Sequence, residues 1–104
     1  MKEFKFEEFN NCKFIVERYP NRNLKISIMS RTEGVICFVT CGIDKRLNDD
    51  TIAVKNYSEN KGMDTWMRDN GYIESVPCSH FTSGFVDIPI YKLTELGKEI
   101  FLSV

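Results

Sequence analysis

Cys78, Ser79 and His80 stand together, and His80 is the single histidine of the chain. A thiol beside an imidazole is the pair used in cysteine nucleophilic catalysis, because the base draws off the proton and leaves the reactive thiolate. Here the two lie only two residues apart, whereas catalytic Cys/His pairs usually meet through the fold. No orienting or oxyanion motif accompanies them. They are expected to be a loop cysteine and a solvated histidine, with no catalytic residue in the chain. Cys37, Cys41, Cys78 and His80 are also the residue types of a zinc site. However, Cys37 and Cys41 sit four apart on an expected strand, about 13 Å from one another. Two sulfurs that must each lie about 2.3 Å from one ion do not span that gap. No metal ligand set and no cofactor are expected.

Other chemistry is equally sparse. No Gly-rich loop follows a strand and opens a helix, so there is no phosphate cradle. Asp44, Asp49, Asp50, Glu59 and Asp64 gather in the segments around an expected helix start, but Asp49-Asp50 in a polar loop is ordinarily a solvated turn. Lys45-Arg46 is too small a basic patch to track a phosphate backbone. The 15 carboxylates against 14 Lys and Arg give a formal net charge of -1. That balance offers no global attraction to nucleic acid or to an anionic membrane.

The elements that must position these residues follow from hydrophobic periodicity. The 104 residues, 42% hydrophobic and 28% charged, are expected to form one domain over residues 1–104 with a real core. Phe4 and Phe6 alternate with Lys5 and Glu7, then Glu8 to Asn11 reads as a turn, and Cys12 to Tyr19 alternates again. Leu24 to Met29 is the cleanest strand, and Arg31 to Gly34 a hairpin loop with Gly34 at positive φ. Val35 to Ile43 is apolar on both faces and so expected inside a sheet. A polar loop covers Asp44 to Asp50, and Thr51 to Lys55 is a short strand.

Met63, Trp66 and Met67 fall at helical spacing, so the main helix is expected over residues 61–70, capped by Ser58 or Asn60. Asp64 and Arg68 sit one turn apart as an ion pair. Asn70-Gly71-Tyr72 closes the helix as a Schellman motif. Glu74 to Gly84 has no period and is expected to be the longest loop. Phe85 to Leu93 is the last strand, with Pro89 placing it at an edge or leaving it paired on one side there. Thr94 to Leu102 allows a short terminal helix capped by Thr94 that buries Leu96, Ile100 and Phe101, weakened by Gly97. The expected fold is α+β: one curved antiparallel sheet of five to six strands with the main helix packed on one face.

Several stretches together resemble a family of small bacterial proteins defined as a domain of unknown function, found in gut Bacteroidetes and Firmicutes, often on conjugative and other mobile elements. They are Asn23-Leu24-x-Ile26-x-Ile28, the turn at Gly34, Phe38-Val39-Thr40, Ala53-Val54-Lys55, Asn60 before Trp66, Asn70-Gly71, and Ser83-Gly84-Phe85 through Pro89-Ile90-Tyr91. They span roughly residues 2 to 93. The family pattern has Cys-Pro before the helix tryptophan, where this chain has Gly62-Met63, and the segment after Leu93 is an addition. The resemblance implies an α+β fold and an accessory role, and it supplies no catalytic residue. Tyr91 to Ile100 is also similar to the last helix of winged-helix DNA-binding domains. Such domains need three helices including a recognition helix, and strands stand in their place here.

No run approaches the roughly 20 apolar residues that span a bilayer. The charged start Met-Lys-Glu-Phe-Lys lacks a signal-peptide core, so a cytoplasmic setting and four reduced, buried cysteines are expected. The expected function is non-enzymatic: binding another protein, with a homodimer as one form of it, through a surface including Cys78, His80, Phe81 and Tyr91. The alternatives are a nucleic-acid-binding regulator, and a cysteine- or metal-dependent enzyme centred on Cys78 and His80. No membrane partner is expected.

Overall fold

Alternating apolar residues turn the first third of the chain into a meander. In the computed structural model, which describes residues 3–102, β1 (Phe4–Phe6), β2 (Phe9–Arg18), β3 (Leu24–Ser30) and β4 (Gly34–Phe38) form an antiparallel sheet in that order. A second antiparallel sheet holds β5 (Thr51–Ala53), β6 (Ser79–Ser83) and β7 (Val86–Lys92) in the order β5-β7-β6. A 3-10 turn at Ser58–Asn60 precedes helix α1 (Met63–Asp69), and α2 (Glu95–Phe101) follows β7. The fold is α+β, as expected from the sequence, but the single sheet of five to six strands is two sheets of four and three. No helix among the described residues is long and apolar enough to cross a membrane.

The sheets divide just after Phe38. The β3–β4 register shifts between Ile28 and Met29, and beyond β4 the Val39 N–H still donates to the Ile26 carbonyl at 2.8 Å. The Ile26 N–H is then covered by a side chain, donating to Thr40 Oγ1 at 3.0 Å. Freed from β3, the same segment turns to the second sheet: Lys55 N–H donates to Val39 O at 2.8 Å and Cys41 N–H to Ala53 O at 3.1 Å. Thr40 and Val54 form the isolated bridge between sheets. Asn60 Nδ2 donates to the Phe38 carbonyl at the same seam. The strand expected over Val35 to Ile43, buried on both faces, is thus β4 plus this seam. Val35 and Phe38 are exposed while Val39 and Thr40 are fully buried.

Three further expectations are corrected by pairing. The turn placed at Glu8 to Asn11 is at Glu7-Glu8, with Phe6 facing Phe9. Asn11 takes φ 56 inside β2. Glu74 to Gly84 is not one long loop, because Ser79–Ser83 pairs along β7. Of the two placements that Pro89 left open for β7, at an edge or paired on one side there, the edge is excluded, because β7 is the central strand of its sheet. Pro89 is tolerated there because its backbone faces the end of β5: its carbonyl accepts from Val54 N–H at 3.1 Å, and only the reciprocal bond is lost.

The main core lies between the four-stranded sheet and the helices. Phe14 sits at its centre, with ring centroids of Phe4 at 4.8 Å, Phe101 at 4.9 Å and Tyr72 at 5.3 Å. Trp66 of α1 meets Phe6 edge-on at 4.9 Å, beside buried Met63 and Met67. Such offset and edge-on pairs add about 1 kcal/mol each beyond area burial. A second cluster of Ile43, Leu47, Ala53, Ile88 and Ile90 covers the other face of the small sheet. Asn23 folds the Asp44 to Asp50 loop over it: Nδ2 donates to Lys45 O at 2.7 Å and Oδ1 accepts from Leu47 N–H at 2.8 Å.

Neither Ser58 nor Asn60 caps α1. Asn56 does so from six residues upstream of Gly62, its Oδ1 accepting from Gly62 N–H at 3.0 Å and Asp64 N–H at 3.2 Å. Asp64 and Arg68 do not pair directly. Tyr91 O–H donates to Asp64 at 2.9 Å and accepts from Arg68 at 3.1 Å, tying the helix to β7. The helix end is the expected Schellman motif: Tyr72 N–H donates to Met67 O at 3.0 Å and Gly71 N–H to Arg68 O at 2.9 Å, with Gly71 at φ 80.

Thr94 caps α2 as expected, accepting from Gly97 N–H at 3.0 Å. Phe101 is buried and Ile100 half-buried, whereas Leu96 faces solvent. Gly97, expected only to weaken this helix, lets it approach the main chain of Tyr72. A Cβ built there would run into the Tyr72 carbonyl and come within 3.3 Å of the Leu93 Cβ. Helix propensity alone favours Ala over Gly by about 1 kcal/mol. Backbone atoms do not yield as a side chain would, so overpacking wins. Gly97→Ala is expected to destabilise the fold by about 2 kcal/mol or more, read as a lower urea midpoint; an unchanged or higher midpoint would contradict this packing.

Candidate functional site

The residues singled out from sequence fall on the two faces of the small sheet. Phe81 pairs with Ile88, His80 with Pro89 and Ser79 with Ile90. Side chains alternate along a strand, so His80 and Thr82 share one face and Phe81 points to the other. Phe81 is half-buried against the second cluster. Tyr91 is buried, 3% exposed, and belongs to the main core. Of the four residues Cys78, His80, Phe81 and Tyr91, three therefore border accessible surface, and Tyr91 works inside the fold.

His80 Nδ1 lies 2.9 Å from Asp87 Oδ2, both side chains more than half exposed. This pair was not visible in the sequence, because only the hairpin register brings position 87 beside position 80. Cys78 is exposed, not buried as expected, and its Sγ donates to the Ile90 carbonyl at 3.4 Å. Its S–H thus engages the backbone. Cys37 and Cys41, also expected to be buried, are half-buried, Cys37 against the main core and Cys41 against the second cluster, and only Cys12 is fully buried. Among the described residues, no three His, Cys, Asp or Glu side chains converge where one ion would meet them. Three of the five acidic residues around the helix start are paired: Asp49 with Arg46 at 2.5 Å, Glu59 with Lys55 at 3.0 Å, and Asp64 with Tyr91.

The notable surface is the outer edge of β6. Pro89 faces β5, so the His80–Pro89 pair is not hydrogen-bonded. Ser79, Phe81 and Ser83 then turn their backbone groups to β7, and those of His80 and Thr82 point outward. Sheet edges are commonly blunted by Lys, Pro, inward charges or covering segments. The edge of β1 is only three residues long and carries Lys5, β4 has its Phe38 carbonyl covered by Asn60, and β5 is tied to the Val39–Cys41 seam. β6 reads Ser-His-Phe-Thr-Ser over five residues, with neither Lys nor Pro. Exposed apolar side chains flank it: Val76, 68% exposed, before it and the fully exposed Phe85 at the hairpin tip after it. Sequence periodicity missed this edge because the strand is too polar to alternate.

Clefts lie elsewhere on the surface. One, of about 400 Å³, opens between α1 and the β1–β2 turn, lined by Phe6, Phe9, Ile36, Cys37, Met63 and Trp66 among others. Another, of about 270 Å³, gathers Tyr19, Phe38 and Tyr57 with Lys25 and Lys55 beside the seam. No family model, no curated protein and no solved structure matches this chain.

Burial, with the Glu7 carboxylate adding to it, pushes the Cys37 thiol up to about 11. At pH 8 only about one Cys37 in a thousand is thiolate. In native protein at that pH, iodoacetamide is expected to label Cys78 first and to spare Cys12 and Cys37, read by peptide mass spectrometry. Because the folded value lies above the unfolded one, this contribution to stability is complete below about pH 9 and lost as pH climbs toward 11. Labelling of Cys37 ahead of Cys78 would contradict the placement of both.

Proposed function

We propose that this chain is a cytoplasmic, non-enzymatic accessory protein that acts by binding another protein along the free edge of β6. The observation that carries this is the unprotected edge itself: outward N–H and C=O groups at His80 and Thr82, flanked by Val76 and Phe85 in solvent. Main-chain hydrogen bonds to such an edge give affinity, and the flanking apolar side chains give specificity. The resemblance to the mobile-element family implies the same accessory role. The Cys78 thiol, engaged by a carbonyl, and the absence of a converging donor set among the described residues favour binding over catalysis.

A photo-crosslinking residue at Thr82 is expected to give a discrete heavier species in cells that express the chain, and one at Glu8 none. Equal yields from both positions, or none from Thr82, would overturn this surface.

The cleft of Tyr19, Phe38, Tyr57, Lys25 and Lys55 favours a second reading, as a nucleic-acid-binding regulator. Lys25 Nζ lies 5.7 Å from the Tyr19 ring centre and 5.8 Å from that of Phe38, and Lys55 Nζ 5.8 Å from Tyr57. Phe38 is exposed and Tyr19 and Tyr57 half-buried, and accessible aromatic faces beside cations are what stacks and neutralises a single strand. On this reading, a short oligonucleotide binds at low salt, weakens as salt rises, and is lost in Lys25→Glu; a flat titration removes it.

A further inference from the structure

The four-stranded sheet packs the helices on one face only. Cys12, Phe14 and Val16 of β2 turn to the main core, so Lys13, Ile15 and Glu17 turn the other way. The register carries that outer face across the sheet. Lys13 faces Met29 and Met29 faces Val35; Ile15 faces Ser27 and Ser27 faces Phe38; Glu17 faces Lys25. In an antiparallel sheet packed on one side, such a face is ordinarily polar. Here Val35 is 55% exposed and Phe38 40%, with Ile15 and Met29 half-buried beside them, and all four lie outside both apolar clusters. An apolar strip left in solvent marks a contact surface.

We propose that this face binds a single strand of nucleic acid, laid from the cleft of Tyr19, Phe38 and Tyr57 diagonally across β3, β2 and β1. This rests on the nucleic-acid reading above and carries it beyond the cleft. Charge selects the occupant. Lys25 on β3, Lys13 on β2 and Lys5 on β1 stand along one diagonal of the face, Lys5 pointing outward because Phe4 and Phe6 turn to the core. None of the three has an ion-pair partner among the described residues. Against them stand Glu17, opposite Lys25, and Glu3, which Arg31 already holds at 2.6 Å. The net charge of -1 is thus an average that this face does not share.

Lys13 lies four residues along β2 from Glu17, the partner of Lys25, which sets the two lysines about 14 Å apart. A strand must therefore leave the cleft to reach both. Lys25 Nζ stands within 6 Å of two ring centres, at 5.7 Å from Tyr19 and 5.8 Å from Phe38. A phosphate bound there sets its base against a ring, and an unpaired base is free to stack on it. A protein partner covering the same strip with apolar groups would instead desolvate three unpaired ammoniums, which is costly.

Anisotropy titrations with labelled RNA and DNA single strands of about 4 to about 16 nucleotides test this, the range bound by one small β-fold. Longer strands are expected to bind tighter than the shortest, and binding in either arm supports the proposal. Log affinity falls against log salt with a slope of about -2, as three lysines release counterions. Lys13→Gln is expected to shallow that slope by about 0.7. Phe38→Ala weakens binding at least about fivefold, the loss of one base stack. Lys98→Gln, on the helix behind the opposite face, changes neither. Circular dichroism unchanged from the parent shows that the variants fold.

A photo-crosslinking residue at Val35 is expected to give, in cells, a heavier species that nuclease removes. A species that survives nuclease is a protein partner and overturns the proposal, as do equal losses from Lys13→Gln and Lys98→Gln. Binding lost in Lys25→Glu but with an unchanged slope in Lys13→Gln confines the strand to the cleft; that overturns the diagonal and spares the earlier reading. No salt-sensitive binding at any length removes both.

Discussion

Everything in this molecule depends on how the chain crosses from one sheet to the other at Val39–Cys41. A strand that leaves its neighbour exposes that neighbour's backbone, and a buried, unpaired N–H costs about 1–3 kcal/mol. The Ile26 N–H avoids that cost by donating to Thr40 Oγ1, and Asn60 covers the Phe38 carbonyl from the other side. Both side chains are buried, as is Ile26. With those two groups in place, Val39 and Cys41 are free to bond to Lys55 and Ala53, and the second sheet is fixed against the first.

The division into two sheets gives the small sheet two different faces. One, carrying Ile52, Tyr91 and Leu93, closes the main core around Phe14, Trp66 and Phe101. The other, carrying Ala53, Ile88 and Ile90, is covered by Ile43 and Leu47 from the loop that Asn23 organises. With both faces used, the outer edge remains, and that edge is β6. The candidate interface is thus a consequence of the topology: packing has filled the faces and left a row of backbone groups.

The chemistry-bearing residues divide along the same lines. Tyr91 spends its hydroxyl joining Asp64 to Arg68 and is a strut between β7 and α1. Cys12, Cys37 and Cys41 serve as small apolar packing, while Cys78 and His80 stand at the surface beside the edge. Among the described residues, nothing brings a thiol, an imidazole and a carboxylate into one enclosed site, although His80 and Asp87 do meet in solvent.

What the sequence determined by itself was local. The alternation of Cys12, Phe14 and Val16 with polar residues, the cap of α2 at Thr94, and the Schellman close at Gly71 are set by neighbours a few residues away, so their signals were legible. The α+β class followed from those signals. The sheet division, the cap of α1 from Asn56, the central place of β7 despite Pro89, and the strand hidden in Ser79–Ser83 were decided by tertiary structure. Asn56 reaches 6 and 8 residues, the Ile26–Thr40 bond spans 14, the Val54–Pro89 bond 35, and β6 pairs with β7 across 3 to 11, and periodicity carries no information about such partners. β6 is the clearest case: as an exposed edge it is under no demand to alternate, and only its pairing with β7 makes it a strand.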